Sequence, residues 1–308
     1  MPYLQYRQIR FGAQRDETLV KAEEILAEYR AQGYDLTLRQ LYYQFVARGL
    51  IPNTQREYKK LGDAISDGRY AGRIDWNSIN DRTRHTREHD SWDGPASIID
   101  SAAQGFQLDL WQGQPNHVEV WVEKDALVGV IERACGQDRF PFMSCRGYVS
   151  ASQMWRSAMK FRRLIKAGQE VHLLHLGDHD PSGIDMSRDI EERIMEFVWA
   201  HDGEEAAMKF HLHRIALNMD QVQQYGPPPN PAKVTDSRAA AYIAEHGTES
   251  WELDALEPAV IDGLIRDNGH PLIDHGLMQE RREQEEADKE ILQTASDRWQ
   301  EVVDFLSS

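Results

Sequence analysis

Only two cysteines, Cys135 and Cys145, occur in the 308 residues. A disulfide framework and a CxxC metal pair are both excluded, and reduced thiols in the cytosol are the expectation. No apolar run approaches the ~20 residues of a membrane helix. The opening MPYLQYRQIRFGAQRDE lacks the apolar core of a signal peptide, so a cytoplasmic chain with no membrane partner is expected. Internal repeats and low-complexity tracts are absent. So is the GxxxxGK[ST] loop of an ATPase, which leaves the chain without a nucleotide motor of its own.

Positive charge is also scarce, with a net charge of −16. Residues 1–115 hold 15 Lys+Arg against 16 Asp+Glu, residues 116–244 hold 15 against 18, and residues 245–308 hold 5 against 17. The acidity therefore belongs to the C-terminal fifth. The first third keeps basic clusters, REYKK (56–60) and RTRHTR (82–87). Local clusters set phosphate attraction within a Debye length of ~8–10 Å, so a nucleic-acid role survives the acidic total.

Helical spacing runs through 16–31, 36–50 and 54–72. Thr37 and Gln40 form a T-x-x-Q capping box, Gly49 closes the second helix, and a short turn leads to the third. This is a helix-turn-helix outline, with IDW (74–76) placed to begin a wing. Residues 91–115 loosen into what reads as a linker. Strand-like runs then alternate with helical stretches: VEVWV (118–122), FPFMSC (140–145), VHLLHL (171–176) and KFHLHRIAL (209–217). Alternation of this kind predicts α/β architecture with parallel pairing and right-handed crossovers. The expected division is a helical domain over 1–110 and a parallel-sheet domain over 116–308 that ends in an acidic helical tail.

In an open α/β sheet, ligands sit at the carboxyl ends of the strands. Glu123 directly follows the first strand; Gly177, Asp178 and Asp180 follow the third. If those two strands are neighbours, about 4.8 Å apart, three carboxylates converge. Such a cluster repels itself unless a cation fills it, and hard oxygen donors suit Mg²⁺, with Mn²⁺ as a substitute. A plainer reading stands beside this one: a β–α turn in which Asp180 or Ser182 caps the next helix.

Glu123 with D-x-D-x-x-G at 178–183 resembles the signature of the Toprim metal domain. VEKDAL (122–127), CRGYVSAS (145–152), GDHDPSGID (177–185) and ESWELDAL (249–256) are similar to segments of the DNA-cleaving subunit of topoisomerase VI and the related meiotic double-strand-break proteins. The resemblance spans about 36 to 260. It implies a winged helix carrying a nucleophilic tyrosine, a Rossmann-like Toprim sheet, and Glu123, Asp178 and Asp180 as Mg²⁺ ligands. RQLYY (39–43) matches the family's tyrosine pattern with Tyr43 as nucleophile, although Gln40 stands where an acidic residue is usual. The resemblance further implies a 5′-phosphotyrosyl intermediate on double-stranded DNA, a nucleoid-associated homodimer, and a separate ATPase subunit for strand passage.

On a helical wheel Tyr42 shares the apolar stripe with Leu38, Leu41 and Phe45, while Tyr43 lies on a more polar face beside Arg39. The expectation is a buried Tyr42 and an outward Tyr43, with Arg39 favouring its phenolate. Lys124, Arg146, Arg82, Arg84 and Arg87 are the candidate DNA contacts. His172 and His175 read as core histidines, and His179 is expected to point away from the metal. A Toprim nuclease using water, or a DNA-binding scaffold without catalysis, remains open.

Overall fold

The computed structural model describes residues 3–79, 89–232, 236 and 238–308. Helices α1 (Ala13–Ala31), α2 (Leu38–Ala47), α3 (Gln55–Tyr70) and α4 (Pro95–Gly105) come first. Strand β1 (Asn116–Val122), α5 (Val128–Gly136), β2 (Phe142–Ser144), α6 (Ala151–Lys166), β3 (Glu170–Leu176) and α7 (Pro181–Asp202) follow. The remainder is α8 (Glu204–Ala207), β4 (Phe210–Ala216), α9 (Met219–Tyr225), β5 (Asn230–Pro231), α10 (Ala239–His246), β6 (Glu249–Ser250), α11 (Pro258–Gly269), α12 (His275–Asp297) and α13 (Trp299–Ser307).

Two compact units result. One joins Met1–Thr83 to Val118–Pro271, and the other joins Arg84–His117 to Leu272–Ser308. The N-terminal helices and the sheet thus share one core unit, a grouping that crosses the composition break at 110–116.

In that unit the Thr37 capping box forms as its spacing requires: Thr37 accepts from the Gln40 amide, and the Gln40 side chain accepts from the Thr37 amide. Leu19, Ile25, Leu26 and Tyr29 of α1 pack with Leu41, Phe45, Leu61 and Ile65 of α2 and α3. The two outer helices approach so closely that a Cβ on Gly68 would stand 2.5 Å from Leu19 Cδ2. Glycine is the residue that fits there. Among the described residues no strand begins at 74–76. Ile74 is fully buried, so that segment packs into the helical core, and the residues that would continue a wing, 80–88, lie outside the described residues.

The mixed α/β expectation holds in its coarse form. Four parallel strands lie in the order β2-β1-β3-β4. Trp121, Val171, Leu173 and Phe210 pack on Met154 and Phe161 of α6 and on Ile190, Ile194 and Val198 of α7. By strand alternation the intervening residues face the other way, where α11 meets β3 and β4 beside α5. Burial of each large side chain contributes about 1.5–3 kcal/mol, so this sheet–helix core is a rigid base for the loops at its carboxyl edge. No described helix is long and apolar enough to cross a membrane.

The second unit is helical. Residues 91–115 form more than a linker, because α4 packs along α12: Gln293 reaches Asp100 at 3.2 Å and Ser296 reaches the Ala96 carbonyl at 3.1 Å. The partner of α4 lies far away in sequence, and a local pattern cannot reveal it. Most acidic side chains of α12 face solvent, but Glu285 is buried, accepting from the Leu108 amide at 2.7 Å and pairing with Lys289 at 3.0 Å.

Candidate active site

Strand order decides which carboxylates meet. Because β1 and β3 are neighbours, the Glu123 amide donates to the Leu176 carbonyl at 2.9 Å, and Glu123 Oε2 accepts from the Asp178 amide at 2.8 Å. Glu123, Asp178 and Asp180 are all buried. Asp178 Oδ1 accepts from the Leu253 amide at 2.8 Å, and its Oδ2 lies 2.9 Å from Lys124 Nζ. Asp180 is the N-cap of α7, accepting from the Gly183 amide at 2.7 Å and from Ser182 Oγ at 2.8 Å. The capping reading of the turn is therefore correct for Asp180, and it coexists with a charge cluster.

The three oxygens are adjacent without forming a closed cradle. Among the described residues, the group whose potential ligand atoms all lie within 4.8 Å of one another is a different one: Glu170, His172 and His211. Buried carboxylates must satisfy their lone pairs, and here backbone amides and an ammonium do so.

Two further carboxylates close over this edge from the segment after β6. Lys124 reaches Glu252 at 2.6 Å and Asp254 at 3.1 Å as well as Asp178. Arg39, from α2, pairs with Glu252 and lies 2.9 Å from Asp254. Arg214 rises from β4 beneath the turn and donates to the carbonyls of Asp178 at 2.6 Å, Gly183 at 2.9 Å, Leu217 at 3.1 Å and Gly177 at 3.2 Å. Burial lowers its pKa to about 10, which still leaves it charged at neutral pH. Five carboxylates thus face three cations, an excess of negative charge in a buried place.

The titration behaviour follows first from burial and then from these neighbouring charges. Burial, with Glu123 and Asp254 adding to it, raises the Asp178 carboxyl to about 7 against the pull of Lys124. Burial raises Glu123 and Asp254 as well. Glu252 goes the other way: burial works upward, but Lys124 and Arg39 outweigh it and hold the group down to about 2. Burial opposes the charge on Lys124, and Asp254, Asp178 and Glu252 together reverse that effect and keep it an ammonium.

Gly183 lets the turn fold this tightly. A Cβ there would stand 2.3 Å from the Asp178 carbonyl oxygen, a backbone atom that cannot step aside. The D-x-D-x-x-G spacing thus has a steric reason: the sixth position lies directly under the first.

Tyr43 requires a correction. It is as buried as Tyr42, each only 4% exposed, and it does not face solvent. The helical wheel places Tyr43 beside Arg39, as found, but does not give its burial, while Tyr42 bonds Asn53 at 2.9 Å. The polar face of α2 is covered by the Leu253–Ala255 turn, which the wheel cannot foresee. Burial first, then Glu252 and Asp254, raise the Tyr43 pKa; Arg39 and Asn230 lower it by less. Arg39 does not produce a phenolate here because Glu252 and Asp254 already take up its charge.

The other candidates separate cleanly. Arg146 is exposed and pairs with Asp125 at 3.1 Å. Arg82, Arg84 and Arg87 lie outside the described residues. His175 is a core histidine bonded to Ser187 at 2.8 Å. His179 turns away from the carboxylates to Tyr242, also at 2.8 Å. Sequence reasoning missed Asp254 and Arg214. Asp254 stands inside the quoted ESWELDAL segment, and Arg214 interrupts the apolar end of β4, so each left a faint signal. The chain matches no known protein-family model and no curated protein.

Proposed function

We propose that this protein cleaves phosphodiester bonds of double-stranded DNA in a divalent-metal-dependent reaction, with Tyr43 as nucleophile. The contact between Glu123 and Asp178 across adjacent strand ends carries the reading, since it sets two buried acids side by side at the ligand edge of the sheet. The Toprim-like motif and the RQLYY segment support it further. The donor set fits Mg²⁺ or Mn²⁺: the acids are hard oxygen donors, and five carboxyl groups gather there beside three basic side chains. Glu123, Asp178 and Asp180 would hold the ion, which supplies Lewis-acid polarisation of the scissile phosphate.

The residues of this chain have defined tasks in the reading. Lys124 and Arg39 orient phosphate oxygens. Tyr43 Oη forms a bond to phosphorus while the P–O3′ bond breaks, giving a 5′-phosphotyrosyl link and a 3′-hydroxyl. The phenol proton leaves toward the Glu252–Asp254 pair, the carboxylates that bear on Tyr43 most strongly. The 3′ oxygen takes up a proton as it departs. A homodimer with paired cuts and a separate ATPase for strand passage belong to the same reading, as does a nucleoid-associated place in the cell.

Tyr43 and the acidic cluster share one unit, and a buried, protonated phenol is a reluctant nucleophile. That observation favours a second reading in which water attacks. Incubation with supercoiled DNA and Mg²⁺ or Mn²⁺, then denaturation and protease treatment, separates the two. Breaks revealed only after denaturation, and lost in Tyr43→Phe, support the tyrosine; full cleavage by Tyr43→Phe supports water. No cleavage by wild type under any of these conditions refutes both and leaves a DNA-binding scaffold.

A further inference from the structure

The amino end of β3 and the edge strand β4 carry a second constellation, which the cleavage reading does not use. Parallel pairing sets His172 opposite His211 and Leu174 opposite His213, so alternation puts all three imidazoles on the sheet face away from α7. Their rings stack: the centroids of His172 and His211 are 4.8 Å apart, and those of His172 and His213 are 5.3 Å apart. His172 Nδ1 lies 3.0 Å from His213 Nε2. Glu170, two residues before His172, completes the group with its Oε2 3.2 Å from His211 Nε2. We infer that Glu170, His172 and His211 form a binding site for a zinc-class transition-metal ion, with His213 as the adjoining third imidazole.

The donor chemistry selects the metal. Two imidazoles and one carboxylate, with a third imidazole beside them, suit Zn²⁺ and its neighbours in the first row, whereas Mg²⁺ demands oxygen. Tetrahedral bonds of ~2.0–2.1 Å put ligand atoms about 3.3 Å apart, and the present atoms all lie within 4.8 Å, so rotation of exposed side chains suffices to close the site. Metal binding needs neutral imidazoles. A hydrogen-bonded neighbour such as His213 orients a ligating ring. Six residues of strand separate His172 from Asp178, about 20 Å at ~3.3 Å each, so this site is distinct from the acidic cluster. A metal here ties the edge strand to its neighbour at the end opposite the chemistry.

The test uses the full chain. Zn²⁺ is titrated in competition with a chromophoric chelator, and Co²⁺ is followed by its visible absorption. Wild type and Asp178→Asn are expected to bind one Co²⁺ with the intense bands of a four-coordinate, imidazole-ligated ion. His211→Ala, at a half-exposed position that folding tolerates, is expected to lose those bands and to weaken Zn²⁺ binding by more than about tenfold, with Glu170→Gln also weaker. Unchanged binding in His211→Ala, loss in Asp178→Asn instead, or no competition by wild type would overturn the assignment.

Discussion

Replacing Lys124 by Met is the sharpest perturbation available. The ammonium touches Asp178, Glu252 and Asp254 at 2.9, 2.6 and 3.1 Å, and its side chain is only 18% exposed. Methionine preserves the aliphatic stem and removes the charge. Stripping the cation from a buried ion cluster leaves carboxylates uncompensated and costs about 3–5 kcal/mol. In a unit of this size each kcal/mol lowers Tm by about 2–4 °C, so a fall of about 6–20 °C is expected. Urea unfolding followed by circular dichroism measures the loss directly. If a divalent ion can take up the charge that Lys124 now offsets, Mg²⁺ will stabilise Lys124→Met more than wild type, by up to about 2.7 kcal/mol at one hundred times its Kd. A variant within about 1 kcal/mol of wild type would refute the claim that the ammonium neutralises this cluster. Equal stabilisation of both proteins by Mg²⁺ would refute the link between ammonium and metal.

Gly183→Ala forces a Cβ to within 2.3 Å of the Asp178 carbonyl, so the start of α7 must shift; a loss of about 2–4 kcal/mol and of any Mg²⁺-dependent activity is expected, checked by unfolding and cleavage assays. Glu252 has a folded pKa held to about 2 against an ordinary 4.5, so its pairing stabilises fully above pH 4.5 and is lost as pH falls toward 2. Acid unfolding of Glu252→Gln should lack about 2–3 kcal/mol of that pH dependence, and an unchanged acid limb would count against the pairing. Burial pushes both thiols up to about 12, so Cys135 and Cys145 should react slowly with a thiol reagent at pH 8 and fast once unfolded; rapid native labelling would contradict their burial.

Much of this was legible in the sequence because it is local. The Thr37 capping box, the four strand runs and the glycine that must follow a D-x-D turn are set by contacts within a few residues, and periodicity and spacing report such contacts. The place of Glu123 and Asp178 at strand ends was legible for the same reason. Their meeting depended on β1 lying beside β3, which no local pattern states. The burial of Tyr43, the capture of Arg39 by Glu252 and Asp254, and the intrusion of Arg214 beneath the turn come from segments more than thirty residues apart. The packing of α4 on α12 and the cross-strand histidines are of the same kind. A helical wheel shows which face is polar, and only tertiary structure shows whether water or another carboxylate covers it.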